Sequence, residues 1–398
     1  MTDGPAVQRV LQVHTRYRQP GGEDLVVDAE QQLLELAGID VRQVIFDNAH
    51  LRESESLAGD VRLAASAIWS RAAQRRVRAA IKAGRSQVVH VHNTFSAASP
   101  SIYSAAEALG VPVVQTLHNY RLVCPAAVAF RDGRACTDCV GLPIALPAVV
   151  HACVRGSRAQ SAVAATTIAV HRALGTFDRR IALYLALTSF QRELLARGGF
   201  PAKRIRVVSN FLEPDPGEGA GERSGILYVG RLSVEKGITA LVAAGAKVPG
   251  TLRIAGDGPL AQSVRDAGAG SITYLGRLER AAVDAELRGA VAMVLPSIWF
   301  EGFPLAVLEA FAAGTPLIAS RIGSLAEIIE DKVTGLLVQP GDPDDLARHI
   351  RWAVEHPAQM RQMGIAARQR YETQFRGAAH LAALLETYAT VIAASGSQ

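Results

Sequence analysis

The sequence predicts an α/β protein of two parallel-sheet domains, and three observations carry that prediction. The chain has 398 residues, beyond the roughly 250–300 at which single hydrophobic cores stop growing. Short β-branched runs alternate with helical patterns along nearly all of it. Continuous apolar strands joined by crossover helices belong to parallel sheets covered on both faces. Finally, Glu213 to Ser224 contains Pro-Asp-Pro-Gly-Glu-Gly-Ala-Gly-Glu, which cannot build a core and divides the chain.

In the first half Arg9–His14, Val41–Ile45, Val88–Val91, Val113–Leu117 and Arg206–Val208 read as strands. In the second half the strands are Ile226–Val229, Leu252–Ala255, Ile272–Leu275, Ala292–Leu295 and Leu317–Ala319. Between them lie helices such as Glu23–Ala37, where Leu25, Ala29, Leu33 and Leu36 keep one face apolar. Ligands of such sheets sit at the carboxyl ends of the strands, so motifs there count most.

Composition narrows the function classes. Hydrophobic content of 49% with 20% charged residues describes an ordinary globular protein. A net charge of +5 suits anionic substrates or a membrane surface and is too small to argue for nucleic acid; 6% aromatics offer no base-stacking platform. Met1–Pro5 has no basic or apolar leader region, and no run reaches the roughly 18 uninterrupted apolar residues of a membrane span. The expectation is a cytoplasmic protein whose four cysteines are thiols or metal ligands before they are disulfides.

The segment Pro296–Pro316 is the most informative. It follows a strand, with Pro304 at a helix entrance and Gly314 just past the helix end. Gly302 and Pro304 at that entrance leave the backbone N–H groups around Phe303 and Leu305, and a positive dipole end, free for a phosphate. Glu309 is the only polar side chain of that helix, and a carboxylate there needs a partner: a ribose diol, or a nearby arginine, or water. Glu301 stands in the preceding loop, where it is either a ligand or an exposed acid. Gly230-Arg231-Leu232-Ser233-Val234-Glu235-Lys236-Gly237 follows another strand; two cations five positions apart in a turn can converge on a diphosphate. Gly256-Asp257-Gly258-Pro259 and Tyr274-Leu275-Gly276-Arg277 end the next strands, as walls for a nucleotide base or as plain turns.

These residues carry a resemblance. Gly230–Gly237, Gly256–Pro259, Tyr274–Gly276, the pair Glu301 and Glu309 seven residues apart, and Ala312–Pro316 match glycosyltransferase family 4 in order and spacing over about 110 residues. Pro20-Gly21-Gly22-Glu23 looks like that family's first glycine-rich loop, and His92-Asn93, Thr116–Asn119 and Ser209-Asn210 match more loosely. The resemblance implies a GT-B fold, two Rossmann-like parallel-sheet domains facing a central cleft. Residues 1–212 would form the acceptor-side domain and 213–377 the nucleotide-sugar domain, with 378–398 crossing back to the first.

It also implies roles. Arg231 and Lys236 would bind the donor's diphosphate with backbone amides near Phe303 and Leu305, Glu309 the ribose and Glu301 the sugar. Gly21 and Gly22 would let the first loop approach the phosphates, and His118 would lie by the transferred sugar. Gly230, Gly256, Asp257, Leu275 and Gly276 would complete the donor site. The implied reaction is retaining transfer from a UDP- or GDP-sugar to a glycan or lipid-linked acceptor. No cofactor is required, because the cations of residues 230–237 replace a divalent metal.

Two further signals stay open. Cys124, Cys136, Cys139 and Cys153 have spacing that suits a structural zinc, not a catalytic one, or are ordinary thiols. Trp69 to Arg85 carries Arg71, Arg75, Arg76, Arg78, Lys82 and Arg85 beside Trp69, Val77 and Ile81, which suits either peripheral contact with an anionic membrane or a solvated helix packed on its sheet. His14, His90 and His92 read as structural. Two other classes compete: a Rossmann oxidoreductase, which lacks G-x-G-x-x-G after its first strand, and a GT-B partner subunit that binds nucleotide without transferring sugar.

Overall fold

The computed structural model describes residues 7–17, 21–48, 57–267 and 270–396. Pro20 of the first glycine-rich loop lies outside them. The chain divides into two compact units: residues 1–128, 137–209 and 380–398, and residues 129–136 and 210–379.

In chain order the strands of the first sheet are β1 (Arg9–Arg16), β2 (Asp40–Asp47), β3 (Val88–Val91) and β4 (Val113–Leu117). A two-stranded hairpin, β5 (Phe130–Arg131) and β6 (Arg134–Ala135), precedes the last two, β7 (Leu183–Ala186) and β8 (Ile205–Val207). All pairings in this sheet are parallel, in the order β2-β1-β3-β4-β7-β8. The second sheet holds β9 (Ile226–Val229), β10 (Leu252–Ala255), β11 (Ile272–Gly276), β12 (Ala292–Leu295), β13 (Leu317–Ser320) and β14 (Gly335–Val338). It is also parallel, in the order β11-β10-β9-β12-β13-β14. In both sheets the order reverses direction beside the first strand, the topology that opens a binding crevice at the carboxyl ends. β3, β12, β13 and β14 are buried along their full length, as strands covered on both faces must be.

Three sequence expectations need correction. β7 and β14 were not anticipated. The helix Gly22–Leu36 buries Asp24, Val26, Val27, Glu30 and Leu34 instead of the predicted face, and Leu25 and Leu36 are exposed. Two acids on the buried face broke the apolar pattern and shifted the reading to the wrong stripe. Pro304 is the N-cap and Leu305 the first helical residue, one position later than the sequence suggested.

The basic helix spans Arg71–Gly84, with Ser70 as N-cap accepting from the Ala73 amide. Ala73, Val77 and Ile81 are buried in the unit, so its apolar face is already covered. The helical stretch Pro357–Gly396 is long and apolar enough to cross a membrane by length and composition. Its last part behaves as a core helix: Leu384, Tyr388 and Val391 pack with Val10, Leu34, Val88 and Val114 in the first unit.

Candidate functional site

In the second unit the carboxyl ends of β9, β10, β11 and β12 are tied together by backbone hydrogen bonds. The Gly230 amide donates to the Ala255 carbonyl at 3.1 Å and the Gly256 amide to the Gly276 carbonyl at 2.7 Å. Leu232 N donates to Asp257 O at 2.9 Å, and Ile298 N to Glu235 O at 2.9 Å. Such closeness dictates glycine at two points. A Cβ on Gly256 (φ +145°) would lie 1.8 Å from the Gly230 carbonyl oxygen, and one on Gly237 (φ +73°) 1.8 Å from the Pro296 carbonyl oxygen.

This scaffold brings Lys236 and Glu301 together. Lys236 Nζ donates to Glu301 Oε1 at 2.8 Å and Oε2 at 3.0 Å, and Ser297 Oγ donates to Oε1 at 2.6 Å. Trp299 stacks its ring 5.3 Å from the ammonium. Glu301 is therefore no exposed loop acid; it is 4% exposed. Burial would raise its carboxyl, but the Lys236 ammonium and its hydrogen bond, with that of Ser297, outweigh this and hold it below the usual carboxylate range. Two of the three ammonium N–H groups go to Glu301, which leaves one donor. Arg231 is exposed and its guanidinium makes no ion pair among the described residues. A buried, charge-balanced carboxylate, with an exposed arginine in the loop that supplies its lysine, suits a polyhydroxylated, anionic ligand.

Glu309 lies on the helix Leu305–Ala312, in an ion pair with Arg280, which also holds Asp284 at 3.0 Å. A carboxylate has about four lone-pair sites, so this pairing leaves acceptor capacity. Asp257 is exposed, and its carboxylate accepts from the Gly258 amide at 2.8 Å. Leu275 and Gly276 close β11, and the Tyr274 hydroxyl donates to the Gly256 carbonyl at 3.0 Å. Gly302, Phe303 and Pro304 form the turn into the helix, where the Phe303 carbonyl accepts from Asn210 Nδ2 at 3.1 Å.

In the first unit Gly21 and Gly22 are exposed at the start of the helix Gly22–Leu36, where the Asp24 carboxylate accepts from the Gly21 amide at 2.9 Å. His118 follows β4 directly. Its Nε2 lies 3.0 Å from His92 Nδ1, and the two rings stack at 5.3 Å. Behind it stands an extensive buried polar cluster. Glu30 Oε1 accepts from Gln12 Nε2 at 2.9 Å and faces His90 Nδ1 at 2.9 Å and His92 Nε2 at 3.3 Å; Oε2 faces His380 Nε2 at 3.1 Å. Tyr388 and Thr116 hydroxyls lie 2.7 and 2.8 Å from the two nitrogens of His90. His14 Nε2 is 2.8 Å from Asp24, while its Nδ1 and Glu23 Oε1, neither hydrogen-bonded, face each other across 3.8 Å. Burial, with Asp24 beside it, pushes the Glu23 carboxyl up to about 8.

The sequence names His118 and places Glu23 in the first glycine-rich loop without a role, reads His14, His90 and His92 as structural, and does not point to Glu30 or Asp24. The signal was available as a period of two: Gln12 and His14 in β1, His90 and His92 at β3, and Thr116 and His118 at β4 alternate with apolar neighbours. Cys124, Cys136, Cys139 and Cys153 form no disulfide and are partly exposed. Among the described residues the set of three or more ligating side chains with atoms within 4.8 Å of one another is Glu30, His90 and His92.

Two family models match the chain: "Glycosyltransferase Family 4" over residues 21–216 and "Glycosyl transferases group 1" over residues 215–370. A glycogen synthase of Mycobacterium tuberculosis is 36% identical over 189 residues, 45% of this chain and 44% of that relative, so the match spans less than half of the relative's length. Among solved structures, sucrose-phosphate synthase from Thermosynechococcus elongatus aligns with a TM-score of 0.72 at 19% identity, over 97% of this chain and 100% of the other. Anabaena Alr3699/HepE in complex with UDP-glucose aligns at 0.66 and 17% identity, over 96% and 99%. Both parallel sheets and the loops at their carboxyl ends thus fall within matched regions, and the chain belongs to the GT-B glycosyltransferases of family 4 and group 1.

Proposed function

We propose that this protein transfers a sugar from a nucleoside-diphosphate sugar to a glycan or lipid-linked acceptor, with retention of anomeric configuration. The observation that carries the reading is the pairing of half-buried Lys236 with buried Glu301, held by Ser297 at the junction of the strand ends. Lys236, through its remaining N–H, and Arg231 would hold the diphosphate, and Glu301 the sugar hydroxyls. Glu309 would take the ribose while keeping Arg280. Gly230, Gly256, Asp257, Leu275 and Gly276 would frame the nucleotide, and Gly302, Phe303 and Leu305 would add backbone N–H groups to the phosphates beside Pro304. Gly21, Gly22 and His118 would serve phosphates and sugar from the first unit.

Negative charge grows on the departing diphosphate as the glycosidic bond breaks, so preorganised cations there stabilise the transition state more than the ground state. The leaving phosphate accepts the acceptor's proton on the same face, and no metal is required. A UDP donor is supported by the HepE complex with UDP-glucose.

The acceptor reading includes work at the inner face of the plasma membrane, in polysaccharide or glycolipid assembly. The covered apolar face of Arg71–Gly84 leaves that helix only charge to offer. The segment around the short helix Leu146–Val150 supports lipid contact better: Leu142, Ile144, Leu146 and Val150 are all at least 40% exposed, and no acid occurs between residues 139 and 177.

A thermal-shift screen of nucleoside diphosphates and their sugars tests the donor site, since a ligand of the native state raises the melting temperature by mass action. Stabilisation by UDP or GDP and a matching sugar, unchanged by EDTA, is expected. Stabilisation by nicotinamide dinucleotides alone would sink the reading.

A further inference from the structure

The buried cluster behind His118 does more than fill the first unit. A neutral imidazole has one N–H and one bare nitrogen, so a 3.0 Å contact between His92 Nδ1 and His118 Nε2 needs a proton on one of the two. The choice is made at the far side of His92. Its Nε2 lies 3.3 Å from Glu30 Oε1, an electrostatic contact outside hydrogen-bond geometry, with His92 2% and Glu30 1% exposed. A bare nitrogen facing a carboxylate in so dry a place is repelled by it, whereas an N–H is attracted. The proton of His92 therefore sits on Nε2, its Nδ1 is the acceptor, and His118 must donate from Nε2.

Resting on the proposal that His118 serves the transferred sugar, we infer that Glu30, acting through His92, is a positioning residue that fixes His118 as the Nε2–H tautomer. His118 Nδ1 is thereby kept bare as a hydrogen-bond acceptor for a donor-sugar hydroxyl. The rest of the cluster keeps Glu30 in place. Gln12 donates to Oε1, His380 meets Oε2, and His90 is pinned between Tyr388 and Thr116. The groups facing the two rings are His14, whose ring lies 6.3 Å from His92, together with Glu30 and His90. Burial pushes His92 down to about 4 and His118 well below its ordinary value, so both rings are neutral at assay pH, as the relay requires.

The chemistry has a consequence for the substrate. A bare Nδ1 accepts and cannot donate, so the sugar position it serves must carry a hydroxyl. A deoxy sugar at that position forfeits the bond. Fixing the tautomer in advance means the ring does not reorganise when the donor arrives.

The test reads the tautomer directly, without activity. In the full-length protein labelled with ¹⁵N-histidine, His118 is assigned by its loss in His118→Gln, and long-range ¹H–¹⁵N spectra report which nitrogen is protonated. The Nε2–H pattern is expected in the native protein, with mixed or inverted tautomers in Glu30→Gln and in His92→Phe. Glu30→Gln should lower kcat roughly tenfold, the cost of one neutral hydrogen bond, while affinity for the nucleoside diphosphate stays unchanged. Glu30→Asp, which keeps the charge, should recover part of it. An Nδ1–H pattern or a doubly protonated ring on His118 in the native protein overturns the inference, whether or not any variant folds. So does a copurified metal ion that Glu30→Gln releases, because the cluster would then be a metal site. If the tautomer is as inferred but His118→Gln leaves turnover and donor affinity untouched, the tautomer stands and the sugar-contact reading fails.

Discussion

Replacing Lys236 by alanine exposes the logic of the site, because it removes one half of a buried pair and leaves the other. Glu301 would keep Ser297 Oγ at 2.6 Å but lose both ammonium contacts, at 2.8 and 3.0 Å. Removing one partner of a buried ion pair costs about 3–5 kcal/mol. The Lys236 side chain is 22% exposed, so the lower end, about 3 kcal/mol, applies here, and for a unit of this size that is a fall of roughly 6–12 °C in melting temperature. The effect depends on pH in a defined direction. In the native protein the Glu301 carboxyl is held below its ordinary value, so its stabilisation is present at neutral pH and lost as pH falls through that lowered value. Without Lys236, burial dominates and the carboxyl rises above its ordinary value. The deficit of Lys236→Ala should therefore shrink as pH is lowered from 8 to 5. Adding Glu301→Gln should recover much of it at pH 8. Turnover should fall by roughly 10²–10³ at saturating donor, the effect of losing one preorganised donor beside developing charge. Thermal denaturation across pH and steady-state kinetics measure both. A variant with native melting temperature and native kcat would refute the pairing and the phosphate role together.

Glu23, raised to about 8 by burial, makes native stability decline as pH rises from its ordinary range toward 8; Glu23→Gln should gain on the native protein across that window, by on the order of a few kcal/mol, in urea titrations at pH 5 and 8.5. A gain independent of pH would contradict it. Gly256→Ala should lose at least about 3 kcal/mol, since its Cβ meets the Gly230 carbonyl oxygen at 1.8 Å, whereas the same change at Gly133, with nothing within 4 Å, isolates the smaller cost of positive φ alone. A structural zinc on Cys124, Cys136, Cys139 and Cys153 predicts about one zinc per chain, lost with protease resistance of residues 124–153 in Cys136→Ser/Cys139→Ser. Metal-free protein with four freely titrating thiols would end that reading. Vesicle co-sedimentation checks the lipid surface: Ile144→Asp/Leu146→Asp should reduce binding to anionic vesicles, and equal binding would remove this segment from the contact.

The fold was legible because short strands rich in β-branched and apolar residues, nearly all apolar in the second sheet, recur between glycine-rich turns. Val88–Val91, Val113–Leu117, Ile226–Val229, Leu252–Ala255 and Ala292–Leu295 are strands with the boundaries read from the sequence. β7 was missed because Leu-Tyr-Leu-Ala suits a helix as well as a strand, and β14 because Gly335 opens it. The loops of the second unit were legible since each is a compact local motif. The first unit's cluster was not, because its members come from β1, β3, β4, the helix Gly22–Leu36 and the last helix, and only the fold brings Glu30 to His380, 350 positions away. Tertiary partners also stayed hidden: Lys236 lies 65 positions from Glu301, and Arg280 lies 29 from Glu309.

The central claim, retaining transfer from a nucleoside-diphosphate sugar, is tested most directly by the anomeric configuration of the sugar the protein releases. A donor that raises the melting temperature is incubated with the protein, and ¹H NMR follows the first sugar transferred to an acceptor or to water before mutarotation. The account predicts the donor's own anomer, formed at an unchanged rate with EDTA present and nearly abolished in Lys236→Ala. An inverted anomer, or no release from any donor that binds, would contradict it.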